Sequence, residues 1–569
     1  MKKMIIAVLA GAMTFFSCEK DIIDIGTSGT AAGDSAGEDI VVDSSDDLIA
    51  NTSFDRTVTV TYSSSGASVS GADGLTVSTS GAGVTITNSG TEVVKYILSG
   101  SSSNGYFKLY SSKKQAIVLS SLSLTNPSGA PINNQSHKRT FVVLEGSNTL
   151  TDGTYTESSE DEKAALFSEG QLVFSGSGTL TVKATGKSGI TSDDYVRVLD
   201  GPTLKVNSTA GHGIRGKEAV IVSGGTINVE VSGTGKKGDC SDTLVYIGGG
   251  VTTITSTSSA GTVDGELTGA AGIKADLRFE MEDGKLTVNC SGSGCKGITG
   301  DNVAYFKGGN VLVRVTGSNY GSSSSSSGMG GRPGGFGGFG GGSSSSSSNS
   351  KSAKAVKFDG NIYISGGVLN ARASSHEAIE AKGTITISGG EVYAESSDDA
   401  INSAGNFTIS GGTVCAYSTG NDGLDANGNF YIKGGTVYAI GSGGAENAID
   451  ANTEGGYKLY VSGGTIVTVG GLENGSSLTQ TCYSASSWSK NTWYEMTVGS
   501  SSFVFKTPQS GGSGMVVSGS SKPSLTSGVT VSGGSEILNG MAKTGASVSG
   551  GSAVTLSSYS SSSGMGGRW

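Results

Sequence analysis

The side chains able to do chemistry fall into two recurring series. One runs Thr191, Arg215, Cys240, Lys274, Thr299, Lys357, Glu380, Asn402, Asp425, Asp450. The other, three positions earlier, runs Ser188, His212, Lys237, Ala271, Lys296, Lys354, Glu377, Asp399, Asp422, Asn447. Both are neutral or basic at first and acidic from Glu377 onward. If consecutive members are spatial neighbours about 4.8 Å apart, two like charges repel by roughly 3 kcal/mol at an effective dielectric of about 20. A stack of carboxylates then calls for a cation. Oxygen-only donors select a hard ion, and Ca2+ suits irregular geometry. The expected calcium ligands are Glu377, Glu380, Asp398, Asp399, Asn402, Asn421, Asp422, Asp425, Asn447 and Asp450, densest between Asp398 and Asp425. Asp399 and Asn402 have opposite strand parity, so facing one ion requires a bend between them. The alternative is that these residues splay into water at solvated turns, where Asp and Asn are common.

The basic half of the series suggests a different partner. Arg215, Lys274, Lys296 and Lys357 are placed to meet the carboxylates of an acidic glycan laid along the stack, many weak contacts adding by multivalency. Read singly, each is equally an ordinary solvated base. Tyr393 and Tyr438 share one outward register, with Tyr417 two residues along in the coil between. Such a strip can stack on sugar faces, or can simply stabilise a sheet face. A lyase would need calcium beside a uronate and a nearby base. Lys357 beside Glu377 and Glu380, with His376 adjacent, is where acid and base columns meet. No nucleophile elbow or zinc spacing occurs, and Gly328 to Gly342 lacks the strand-to-helix context of a phosphate loop. The net charge of −10 argues against nucleic acid.

Such columns need an element that repeats. Gly doublets at 366–367, 389–390, 411–412 and 434–435 follow one another at steps of 23, 22 and 23 residues, with others at 224–225, 249–250, 308–309 and 463–464. The 58-residue step from 308 to 366 contains a Ser/Gly tract from about Ser318 to Lys351, and removing its 34 residues restores the period. The tract therefore reads as a loop extruded from one coil. Ile362 and Ile364, Ile385 and Ile387, Phe407 and Ile409, and Phe430 and Ile432 precede the doublets; Leu369 and Ala371, Val392 and Ala394, Val414 and Ala416, and Val437 and Ala439 follow them. This is strand periodicity with one face inward. A third apolar position recurs at Val356, Ile379, Ile401, Leu424 and Ile449. Three short strands per coil of about 23 residues, with Gly at a tight corner, define an all-β fold: a right-handed parallel β-helix with capped ends. With 95 Gly, 6 Pro and 15% charged residues, the composition suits many short turns better than helices. A propeller blade needs a longer repeat and four strands.

The N-terminus reads as an export signal, with Lys2 and Lys3 before an apolar run from Met4 to Phe16. Phe15-Phe16-Ser17-Cys18 resembles a lipobox, which makes residues 1–18 a lipoprotein signal peptide ending at a lipidated Cys18. Residues 19–50 follow as a flexible tether. Residues 51–165 form N-terminal coils and a cap, 166–471 the regular helix with its loop at 318–351, and 472–569 a C-terminal β cap and low-complexity tail. Cys240, Cys290, Cys295, Cys415 and Cys482 are odd in number, so no complete disulfide framework follows. Gly-Met-Gly-Gly-Arg at 328–332 recurs at 564–568 without a physical account.

The sequence resembles the β-helical carbohydrate-binding domain proteins first recognised in a cellulose-degrading clostridium. The resemblance rests on Val142 to Gly153 (VVLEGSNTLTDG) and Ala164 to Val182 (AALFSEGQLVFSGSGTLTV). Gly-Ile units at Gly189-Ile190, Gly213-Ile214, Gly272-Ile273 and Gly297-Ile298 add to it. It spans roughly residues 55 to 520 and implies a calcium-bearing, pectate-lyase-like β-helix that binds cellulose and polygalacturonate-like sugars, with no implied catalysis. The Ser/Gly loop and the acidic replacements of Gly-Ile-Lys in the C-terminal coils depart from it. The expected protein is thus a surface-exposed, monomeric outer-membrane lipoprotein that binds acidic or cellulosic polysaccharide and touches membrane only through its lipid anchor. The alternatives are a polysaccharide lyase of the same fold and a structural adhesin without glycan binding.

Overall fold

The computed structural model describes residues 42, 45–156, 160–321, 350–443 and 446–561. Cys18, most of the tether, most of the Ser/Gly tract and both copies of the pentapeptide lie outside them. The chain divides into Met1–Ser53 and Phe54–Trp569. In the first unit the described elements are two 3-10 turns, Ser45–Asp47 and Ile49–Asn51.

The second unit is all-β. Each regular coil contributes three strands, as in Ile379–Ala381, Ile385–Ile387 and Glu391–Ser396. The first strands of successive coils pair in one 14-stranded sheet, here called the first ladder. The second and third strands form two further ladders within a 32-stranded sheet. Pairing between regular coils is parallel and in register: Val356 faces Ile379, Ile379 faces Ile401 and Ile401 faces Leu424. Residues one sequence repeat apart are therefore spatial neighbours, and the fold is a parallel β-solenoid. No described helix is long and apolar enough to cross a membrane.

The alternating apolar residues fill a continuous core: Ile362, Ile385, Phe407 and Phe430 are all fully buried. Both glycines of a doublet are required. Gly412 has a φ of +78°, which L side chains adopt only at a cost. A Cβ on Gly411 would stand 2.2 Å from the Ser388 carbonyl oxygen of the preceding coil. The Ser/Gly tract interrupts nothing: Tyr320 and Lys351 exchange backbone hydrogen bonds of 2.8 and 3.0 Å at its base, and Ile298 pairs with Val356 across it. One coil breaks the apolar column. Asp239 takes the inward position between Ile214 and Ile273; it is 1% exposed, and its Oδ1 has no hydrogen-bond partner.

Past the last coil the chain turns antiparallel. Met515–Ser518 pairs with Thr465–Val469 of the third ladder. A six-stranded sheet including Trp493–Val498 and Ser501–Lys506 then folds back along that ladder's outer face. Its Met496, Phe503 and Phe505 share a second core with Tyr393, Cys415 and Tyr438.

Candidate functional site

The first ladder carries the titratable columns on its outer side. Its register runs Thr191, Arg215, Cys240, Lys274, Thr299, Lys357, Glu380, Asn402, Asp425, matching the series spaced out in the sequence. A bend before Ile401 meets the parity condition, because Asn402 Nδ2 donates to both Asp399 Oδ2 (3.1 Å) and Asp425 Oδ2 (2.6 Å). Asp399 Oδ1 accepts from the Asp422 backbone N–H (3.1 Å), and Asp422 Oδ1 from that of Asn447 (2.5 Å). Asn447 Nδ2 continues the chain, donating to Asp450 Oδ1 (3.1 Å) and Glu473 Oε2 (2.6 Å). Glu473 is a ligand candidate that sequence reading misses. Its signal is the Ile449–Leu472 bridge, which puts it one coil beyond Asp450.

Electrostatics divides the ten expected ligands into two sets. Burial, with help from neighbouring carboxyls, pushes Asp399 up to about 6 and Asp422, Asp425 and Asp450 up to about 8. These four, with Asn402 and Asn447, form a continuous run of oxygen donors. The other set already has protein cations. Lys354 Nζ lies 2.8 Å from Glu377 Oε2 and 2.5 Å from Glu380 Oε2, and Lys382 also contacts Glu380. His376 contacts Glu377 and lies 2.9 Å from Asp398 Oδ2. Hydrogen bonds to Asp398 and Glu377 lift His376 to about 9, and the same imidazolium pulls Asp398 below its usual range. Asn421 Nδ2 sits 3.3 Å from Asp398 Oδ1. The acid–base boundary thus turns on Lys354 rather than Lys357, because Lys354 lies on the buried side of the bend while Lys357 reaches outward to Asp359.

The basic column is largely neutralised. Arg215 holds both oxygens of Asp242 at 2.9 and 3.0 Å, and Lys274 contacts Asp276 and lies 3.3 Å from Asp301. Asp242, Asp276, Asp301 and Asp359 occupy the corner that follows the first ladder. The acid two residues after Lys274 and Lys357 was the available signal. Lys296 differs: burial, then the charges of Lys357, Lys351 and Lys354, push its ammonium down to about 8.

The tyrosine strip requires a correction. Tyr393 is 3% exposed and Tyr438 0%. The returning C-terminal sheet covers their outward face, and Tyr438 donates its hydroxyl to the Lys506 carbonyl (3.0 Å). Tyr417 lies at the edge of that cover, its hydroxyl 3.2 Å from Ser510 Oγ. The half-exposed aromatic pairs lie instead on the second ladder. Tyr305 stacks on Tyr363 with centroids 5.2 Å apart, and Tyr431 on Tyr460 at 5.0 Å. Arg278 lies 4.4 Å from the Tyr305 ring and Lys433 5.3 Å from the Tyr431 ring.

A parallel solenoid with axial columns of ionisable and aromatic side chains belongs to the repeat proteins that present one extended binding face. The family described as carbohydrate-binding domain-containing protein matches residues 80–400, and the chain belongs to that family. No curated protein matches it. Among solved structures, the polysaccharide lyase-like protein from C. thermocellum, studied as a gadolinium derivative, is 21% identical. That alignment covers 46% of this chain and 92% of that one, with a TM-score of 0.33.

Proposed function

We propose that this is a cell-surface polysaccharide-binding protein that recognises acidic or cellulosic glycans and holds calcium in its C-terminal coils, exported and anchored through Cys18. Family membership supports glycan binding. The observation that carries the calcium reading is the run of Asp399, Asp422, Asp425 and Asp450, whose ionisation is opposed by burial and by one another. An all-oxygen donor set of this kind fits a hard divalent cation. Asp399, Asn402, Asp422, Asp425, Asn447 and Asp450 would hold it, joined by Glu473. When bound, the ion supplies the positive charge that Lys354 and His376 supply one coil earlier. A glycan array probed with and without chelator tests both parts. Retention on polygalacturonate or cellulose is expected, weakened when calcium is removed; no retention on either glycan rules the reading out.

One observation favours lyase activity as a second reading: Lys296 is a half-buried amine, pushed down to about 8, a good value for a general base. In that reaction its neutral amine would take the proton beside a uronate carboxylate, a C=C bond would form as the neighbouring C–O bond breaks, and the departing oxygen would take a proton from water. Absorbance of unsaturated product from polygalacturonate detects it, and a flat trace excludes it.

A further inference from the structure

Two cysteines meet at one corner of the stack. Cys290 ends the third-ladder strand Lys285–Cys290 and Cys295 opens the first-ladder strand Cys295–Gly300, with the corner Ser291 to Gly294 between them. Both are free thiols, 2% and 0% exposed. Cys290 Sγ lies 3.3 Å and Cys295 Sγ 3.7 Å from the same Lys296 carbonyl oxygen, and the two thiols hydrogen-bond to each other. That bond keeps the proton on Cys290, whose thiol is pushed up, and pulls the Cys295 thiol below its usual range. Among the described residues no histidine, carboxylate or third cysteine joins them in a cluster that could hold a metal ion. The pair also sits between two insertions. The hairpin Gly261–Val263 and Glu266–Thr268 leaves the preceding coil here, where the Ala260 amide donates to the Ser293 carbonyl (2.7 Å). The Ser/Gly tract leaves the following coil at the same corner, where the Gly294 amide donates to the Ser318 carbonyl (2.7 Å).

We infer that Cys290 and Cys295 are a disulfide site, closed by a disulfide oxidant while the chain folds, and that the bond braces the corner from which both insertions leave. The inference is independent of the glycan and calcium readings. Export, as proposed above, supplies an oxidising compartment, but the chemistry needs only the oxidant. The Cys295 thiolate attacks one sulfur of the oxidant's disulfide, forming a mixed disulfide and releasing one thiol. Cys290 then gives up its proton and displaces the second. Two protein thiols are thereby oxidised to one S–S bond, while the oxidant's disulfide is reduced to two thiols that carry away both protons. Burial sets the timing, because neither sulfur is within reach of an oxidant in solvent once the neighbouring coils have stacked. The closed bond ties the end of one strand to the start of the next. The corner then cannot peel away from its contacts with Ala260 and Ser318.

In the test, the full chain is refolded with oxidised glutathione, unfolded in an alkylating reagent without reductant, and cut with trypsin. Cleavage after Lys285 and Lys296 releases one peptide that contains both cysteines. It is expected unalkylated and about 2 Da lighter than its dithiol form. Recovery with both cysteines alkylated, or with either linked to another peptide, overturns the site. The folded, reduced chain should close the bond roughly tenfold more slowly than the refolding chain, and equal rates overturn the claim that burial confines the reaction to folding. Cys295→Ala places at 295 the same residue as its register partner Ala270, so this variant keeps the packing. Dithiothreitol should lower the melting temperature of the oxidised parent by a few degrees and leave that of Cys295→Ala unmoved. A shift of the same size in both, or in neither, overturns the bracing role.

Discussion

Asp239 occupies a core position where Ile214 and Ile273 sit in the coils before and after it. Burial alone pushes its carboxyl from 3.8 up to about 7. Because the folded value is raised, the folded state holds its proton through the window in which the unfolded chain loses it. Stability therefore falls as pH rises from about 4, and the full penalty is present above about 7. The difference between 3.8 and about 7 corresponds to about 4 kcal/mol, an upper figure. Asp239→Ile should accordingly raise the melting temperature by several degrees at pH 8 and much less at pH 4. An equal gain at both pH values would show that packing rather than charge is responsible. At this scale the sequence is only partly legible. The Gly-Ile pattern marks the inward position that Asp239 occupies, so the anomaly can be read directly. Which lysine meets Glu377 cannot, because Lys354 and Lys357 are both one repeat away, and only the bend decides between them.

At the scale of elements, the glycine doublet governs the stack, and its two members act through different physics. Gly412→Ala meets a left-handed backbone, costing about 1–2 kcal/mol. It also places a Cβ 2.8 Å from the Gly389 carbonyl group of the neighbouring coil. Gly74, with a φ of +81°, has nothing within 4 Å of its Cβ position. Gly74→Ala should therefore lose only the backbone contribution, while Gly412→Ala loses more and opens the coils next to it to protease. Similar losses from the two would mean that close coil contact matters little. The doublets also explain why the ladders were legible: in a parallel stack the sequence period is the spatial period, so columns can be read off before any coordinates exist. The cover over the third ladder was not legible. Parity places Tyr393 and Tyr438 outward, but it says nothing about a segment from residues 493 to 506 returning to bury them. The outward tyrosines of the second ladder obey the same parity and stay half-exposed because, among the described residues, no later strand crosses them.

At the scale of the whole solenoid, the charges form a gradient: bases answered by corner aspartates, then a crossover at the buried Lys354 and half-buried His376, then carboxyls answered, among the described residues, by amides. Stability in a stacked repeat is a sum of coil and interface contributions, so an unanswered acidic run weakens its own coils first. Asp399 at about 6, and Asp422, Asp425 and Asp450 at about 8, all lie above their usual 3.8. Without a cation, the stability of these coils is lost as pH climbs from about 4 to above 8. A divalent ion needs the same groups deprotonated, so its stabilising effect should grow over the same range. Calcium is therefore expected to raise the melting temperature clearly at pH 8 and little at pH 5. Asp422→Asn with Asp425→Asn should remove both the calcium effect and most of the pH slope. Hydrogen exchange should place the protection between residues 399 and 473, with the coils around Arg215 and Lys274 unchanged. Protection spread evenly over every coil would mean that calcium acts elsewhere, and a flat melting temperature at pH 8 would remove calcium from this run altogether.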